Sequence, residues 1–211
     1  MMTRALRVFV PGLLLPAFMS HAGGWAVITV DDLPDYAVAG TPVTLSWVVR
    51  QHGQEPIHSL SARVEAVSGS SKMTAVARPG AGAGRYTTSL TLPQPGNWTV
   101  TIRSGFGRSD VTLLPIPAVK AGTAPAVAVS DVDRGHRLFV AKGCVTCHVD
   151  VKAGPTLDGR RFDATYLAGF LEKPRRITPS APMVMPNLGL KQREIAALVA
   201  YLNSDREVTS R

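Results

Sequence analysis

SDVDRGHRLFVAKGCVTCH, residues 130–148, joins a helical period to a short chemical motif and sets the fold of everything after it. Ser130 followed three residues later by Asp133 has the pattern of an N-terminal helix cap. Val132, Gly135, Leu138 and Phe139 then fall on one helical face. The helix runs into Cys144-Val145-Thr146-Cys147-His148, two thiols three positions apart with an imidazole directly behind them. Zinc would want a second ligand pair, and the chain holds only two cysteines. A redox dithiol would want a βαβ surround, and the flanks here are helical. Two thiols at this spacing can each add to one vinyl group on a porphyrin edge, and the next residue brings a ring nitrogen under the macrocycle. The pentapeptide therefore reads as a c-type haem attachment site.

Downstream, the apolar pattern stays helical. Asp163 can cap a helix whose apolar side is Tyr166, Leu167, Phe170 and Leu171, stopped by Pro174. Ile195, Leu198, Val199 and Leu202 give a third amphipathic helix. Three short helices hold little apolar material for an independent core, so a bound group must fill the middle. The candidate for the second side of an iron is Pro182-Met183-Val184-Met185-Pro186-Asn187-Leu188, 37 residues from His148 to Met185. Methionine thioether is a soft neutral ligand, and His/Met ligation raises a haem potential. A loop methionine is often only core filler, but prolines on both sides stiffen this one. Met185 is the expected ligand and Met183 its competitor. An iron closed on both sides leaves no open position for oxygen or peroxide, so electron transfer rather than catalysis is expected.

On these residues, 131–204 resembles a class I c-type cytochrome. The resemblance is carried by Gly135 and Phe139, the Cys144–His148 motif, Gly154-Pro155-Thr156-Leu157, Met185-Pro186-Asn187, and Glu194-Ile195 with Leu198, Tyr201 and Leu202. It implies an all-α cytochrome c fold with one covalently attached haem c. Cys144, Cys147, His148, Met185 and Pro155 would be cofactor-binding, with His148 and Met185 on the metal. It further implies that the first and last helices cross at Gly135, with Phe139 and Tyr201 packed around the crossing. The Pro155 carbonyl would accept a hydrogen bond from His148. Lys191 departs from the pattern, since a Ser or Asp helix cap is common there.

Upstream of residue 130 the composition changes. Arg4 and Arg7 precede an apolar run of 12 residues, Val8 to Met19, and small residues follow at Ser20-His21-Ala22. The run is too short and proline-rich to span a bilayer, so 1–22 reads as a cleaved secretory signal and the protein as periplasmic or otherwise exported. Residues 23–114 are rich in Val, Thr, Ser and Gly with period-two alternation: Val43, Leu45, Trp47, Val49; Tyr86, Thr88, Leu90, Leu92; Trp98, Val100, Ile102. Shorter runs lie near 25–30, 60–67, 73–77 and 109–114. About seven strands predict an all-β, immunoglobulin-like sandwich. Residues 115–130, with Pro115, Pro117 and Pro125, read as a linker, and 205–211 as a tail.

Gln51-His52-Gly53, Gly84-Arg85-Tyr86 and Leu92-Pro93 through Trp98 look similar to FixH/YtkA-type sandwich domains, some associated with assembly of copper-containing oxidases. That resemblance raises His52, His58 and Met73 as copper ligands; the plainer reading leaves them as exposed loop residues.

The formal net charge is +8. Residues 23–117 carry seven Lys+Arg against six Asp+Glu, whereas 118–211 carry 14 against nine. Lys142, Lys152, Arg160, Arg161, Lys173, Arg175 and Arg176 are expected around the haem edge, facing an acidic redox partner. Nucleic acid is excluded by the exported compartment. The combined expectation is an exported monohaem cytochrome c carrying single electrons to or from a membrane respiratory complex. The alternatives are a haem subunit of a larger oxidoreductase and a copper-handling assembly factor for a haem-copper oxidase.

Overall fold

The computed structural model describes residues 24–124, 128–176 and 184–209. Residues 1–22, read from the sequence as a signal, and Met183 lie outside these residues. The first half is mostly β-sheet, and helices begin at residue 131.

The strands are β1 (Ala26–Val30), β2 (Ala37–Val38), β3 (Pro42–Gln51), β4 (Glu55–Pro56), β5 (Arg63–Ser68), β6 (Ser71–Val76), β7 (Arg78–Pro79), β8 (Arg85–Thr91), β9 (Gly96–Arg103), β10 (Asp110–Thr112) and β11 (Ile116–Val119). One sheet runs β1-β3-β8-β7, with β4 on β3; the other runs β2-β11-β9-β5-β6, with β10 on β9. The expected alternation appears as inward rows. Leu45, Trp47 and Val49 come from β3 and Trp98, Val100 and Ile102 from β9, all in one buried cluster. Tyr86 plugs the core, its hydroxyl donating to the Ile57 carbonyl at 2.9 Å and accepting from the Leu60 amide at 3.0 Å.

β1 departs from simple alternation, because all five of its residues are buried. Ala26, Ile28 and Val30 join the core cluster. On the other face, Thr29 Oγ1 donates to the Lys142 carbonyl at 3.4 Å, and Val27 approaches Gly143. A strand covered on both sides needs the continuous apolar run AVITV.

The segment read as a linker contains β11, which pairs with β9 and, in parallel, with β2. Pro117 lies opposite Asn97 of β9, while the pairing with β2 begins only at Ala118. Only the part beyond Val119 connects the halves without regular structure among the described residues.

Helix α1 (Asp131–Ala141) is capped by Ser130, whose side chain accepts from the Asp133 amide at 3.1 Å. Helix α2 (Ala164–Glu172) is capped by Asp163, accepting from the Tyr166 amide at 2.7 Å. Helix α3 (Gln192–Leu202) begins at Lys191; the missing Ser or Asp is replaced by Glu194, which accepts from the Lys191 amide at 2.9 Å. α1 and α3 cross at Gly135. A Cβ there would lie 2.0 Å from the Ala197 carbonyl oxygen and 2.6 Å from Tyr201 Cβ, so only glycine allows the approach. Tyr201 packs on Phe139 at 5.6 Å and stacks on His136 at 4.8 Å between ring centroids.

The two halves are joined by more than chain connectivity. Arg137 donates to the carbonyls of Pro34 and Asp35, both at 2.9 Å. Arg134 pairs with Asp35 at 3.0 Å, and Lys191 pairs with Asp32. The β-domain therefore packs directly against α1 and the start of α3.

Candidate haem-binding cleft

α1 ends at Lys142, and Gly143 turns the chain with φ +78°. A Cβ at Gly143 would meet Val27 Cγ1 at 2.4 Å and the Ile28 carbonyl oxygen at 2.7 Å, so the turn also needs glycine for its approach to β1. The Cys-Val-Thr-Cys-His motif follows at once, anchored by buried Val145. Thr146–Asp150 form a single π-helical turn, a wider winding often found at functional sites.

His148 Nδ1 lies 2.8 Å from the Pro155 carbonyl oxygen. A carbonyl can only accept, so Nδ1 carries the proton and Nε2 keeps its lone pair free for a metal. Burial lowers the His148 pKa and so favours the neutral ring, while the Pro155 contact opposes this shift. Gly154 lies against the imidazole: a Cβ there would meet His148 Cε1 at 2.7 Å and Nδ1 at 2.8 Å. The Gly154-Pro155 pair thus does two jobs, clearing space beside the ring and fixing its tautomer.

Burial pushes the Cys144 thiol up to about 12, with Cys147 adding to the shift, and burial raises Cys147 as well. Both are free thiols. Protonated thiols in apolar surroundings are the opposite of the activated thiolate of a redox dithiol. Among the described residues no group of three or more His, Cys, Asp and Glu side chains could hold a metal ion.

Both cysteines and His148 border a cavity of about 480 Å³. Its walls include Phe139, Leu167, Phe170, Leu171 and Leu198 from the three helices, and Met185 borders the same space. The donor set fits a haem: two thiols, an oriented imidazole with a free Nε2, and a thioether in one apolar cleft. Pro155, also expected at the site, supplies the carbonyl beside His148.

Val27, His52 and Gly53 also line the cleft, and all three belong to the β-domain. The sequence carried only a faint signal for this, since His52-Gly53 reads as an ordinary turn. His52 packs edge-on against Trp25 at 5.3 Å. His58 is exposed, while Met73 sits on β6 in the other sheet and packs against the core. Of the three residues named for copper, His52 thus lies at the cleft and Met73 in the other sheet.

The basic residues divide. Lys142 is a correction: it is 3% exposed and pairs with buried Glu194 at 2.9 Å, so it does not face a partner. Its neighbours explain this, because α1, α3 and β1 converge there. Arg161 pairs with Asp205. Arg160 and Arg175 border the cleft, with Arg175 over Tyr166 at 5.6 Å. Lys152 and Lys173 are exposed.

Residues 130–202 match the family model described as cytochrome c oxidase, cbb3-type, subunit III. This part of the chain is a c-type cytochrome domain, which implies haem binding and electron transfer. No curated protein matches the chain. Among solved structures, the Lin-41 filamin domain is 14% identical, covering 48% of this chain and 100% of that one, with a TM-score of 0.37. Domains 1–6 of the surface layer protein SbsC are 20% identical, covering 49% and 14%, with a TM-score of 0.33. A superoxide reductase (neelaredoxin) from Ignicoccus hospitalis is 16% identical, covering 48% and 86%, with a TM-score of 0.31. No described helix is long and apolar enough to cross a membrane.

Proposed function

We propose that the protein is an exported monohaem cytochrome c that passes single electrons to or from a membrane respiratory complex. The haem is attached through Cys144 and Cys147 and ligated by His148 and Met185. The observation that carries the reading is the 2.8 Å contact between His148 Nδ1 and the Pro155 carbonyl, which leaves Nε2 free in a cleft shared with both thiols and Met185.

When bound, the haem supplies a one-electron ferrous/ferric couple. The chain's own residues do the rest. Pro155 holds the imidazole orientation, and a well-accepted Nδ1 proton makes Nε2 a better donor. Gly154 keeps the ring unobstructed. Phe139, Leu167 and Leu198 exclude water, which disfavours the more highly charged state of any bound group. Met185 supplies a neutral soft donor and so favours the reduced state. Arg160 and Arg175 at the cleft border can steer an acidic partner or face the carboxylates at the porphyrin edge.

The β-domain belongs to the same proposal, as an immunoglobulin-like sandwich of the FixH/YtkA kind that ends with β11 and joins the cytochrome unit through the stretch beyond Val119. The buried residues of its two sheets form one core, and Tyr86 on β8 holds the loop that carries Ile57 and Leu60 from β4 to β5. The family match favours a second reading as well, in which the chain is a fixed haem subunit of an oxidase complex.

The test is the mass of the denatured chain after expression with a haem-attachment system. One covalently bound haem, lost when both Cys144 and Cys147 become Ser, is expected. A chain without covalent haem would overturn the proposal.

A further inference from the structure

Gln54 Nε2 donates to the Val184 carbonyl at 2.7 Å, across 130 positions of sequence. Val184 directly precedes Met185, and both line the cleft. Gln54 itself sits on a rigid support. Arg50 pairs with Pro56 and Gln51 with Glu55 in the hairpin of β3 and β4. The Gln54 amide donates to the Gln51 carbonyl at 3.0 Å, closing a turn whose central residues are His52 and Gly53. Both have positive φ, 50° and 74°. Two successive left-handed residues define the primed hairpin turn, whose twist matches the flanking strands. A histidine in this conformation is uncommon, and such backbone strain gathers where the surroundings need it. Here the surroundings are the cleft, which His52 and Gly53 both border. The turn is held from behind as well: Trp25 packs on the His52 ring, and the His52 amide donates to the Trp25 carbonyl at 3.0 Å.

We propose that the His52-Gly53-Gln54 turn of the β-domain clamps the backbone at Val184–Met185, and with it the Met185 side chain. Gln54 is a positioning residue: it fixes the carbonyl next to Met185 and so fixes where the thioether can reach. The β-domain then acts on the haem site through Met185 instead of serving only as a docking module. A backbone carbonyl held from outside its own helical unit is a point of control, because displacement of the turn releases the loop. The interface behind it is built to resist that displacement, through Arg134 and Arg137 on the Pro34–Asp35 carbonyls and carboxylate and Lys191 on Asp32.

The inference rests on Met185 being the ligand, so the experiment carries both variants. Gln54→Glu keeps size and shape but removes the N–H donor, and it places a carboxylate against a carbonyl oxygen. Gln54 is exposed, so folding is not at stake, and a thermal melt of each holoprotein checks this. The readouts are the ferrous carbon monoxide association rate and the midpoint potential of the full-length holoprotein. Loss of one hydrogen bond shifts the open-loop population by roughly 2- to 10-fold, so the association rate should rise by that factor while the potential falls. Gln54→Lys restores a donor and should return both readouts toward wild type. Met185→Ala serves as the reference for an open iron. If Met185→Ala opens the iron while Gln54→Glu leaves rate and potential at wild-type values, the clamp is wrong and the ligand assignment stands. If Met185→Ala stays closed, the ligand assignment itself fails and takes the clamp with it.

Discussion

Removing Glu194 should destabilise the whole molecule and not merely its third helix. Lys142 and Glu194 have side chains only 3% and 6% exposed, and their charged atoms are 2.9 Å apart. Lys142 Nζ also donates to the Asp31 carbonyl at 2.6 Å, and Glu194 also accepts from the Lys191 amide. One ammonium thus ties the end of α1 to the start of α3 and to the loop after β1, two residues before Cys144. A Glu194→Ala substitution leaves that ammonium buried with only a carbonyl. Breaking a buried pair in this way costs about 3–5 kcal/mol. For a chain of this size each kcal/mol lowers Tm by about 2–4 °C, so a drop of roughly 6–20 °C is expected. The pair is not irreplaceable: apolar groups of similar volume avoid the desolvation penalty, so Lys142→Met with Glu194→Leu should cost less than Glu194→Ala alone. The assay is far-UV circular dichroism on heating, with the Soret band followed in parallel. A Glu194→Ala loss below about 1 kcal/mol, or a double variant no better than the single, would mean that the Lys142–Glu194 pair does not hold the helices in this way.

Gly135→Ala must push α1 and α3 apart, because its Cβ would lie 2.0 Å from a backbone oxygen; a loss above about 3 kcal/mol in denaturant titration is expected. His148→Ala should abolish stable holoprotein, read from the Soret absorbance per chain. His136 has its pKa lowered, first by burial, then opposed by the Thr209 contact, with Arg206 and Asp133 acting in opposite senses. The unfolded chain therefore binds more protons at this site, so stability is full above about pH 6.5 and is lost as pH falls toward the lowered folded value. His136→Gln should flatten that slope in urea titrations across pH 5–7. Electron transfer to an acidic partner should slow as salt rises, and Arg160→Glu should lower the association rate more than the potential; a salt-independent rate would favour the fixed-subunit reading.

Local signals were legible because they depend on near neighbours. Ser130 and Asp163 cap their helices as the sequence predicts, and Gly135 marks the crossing where expected. The spacing of Cys144, Cys147 and His148 points to haem chemistry without any fold. What composition could not show was long-range. Ile116–Val119 reads as linker because a proline hides a strand whose partners lie about 20 and 80 positions away. Lys142 reads as surface charge because its partner Glu194 is 52 positions downstream. β1 reads only as a short apolar run, since its second face is covered by a region of different period. The same reasoning explains His52 and Gln54: only the docking of two units puts a hairpin turn beside the methionine loop. A two-unit division drawn from composition alone hides this shared cleft.

His148/Met185 ligation is tested by the carbon monoxide difference spectrum of the ferrous full-length protein, wild type beside Met185→Ala. Wild type should stay closed, while the variant should bind one carbon monoxide per haem and keep the haem covalently attached. Ready binding by wild type, or a variant that stays closed, would contradict a His148/Met185-ligated electron carrier.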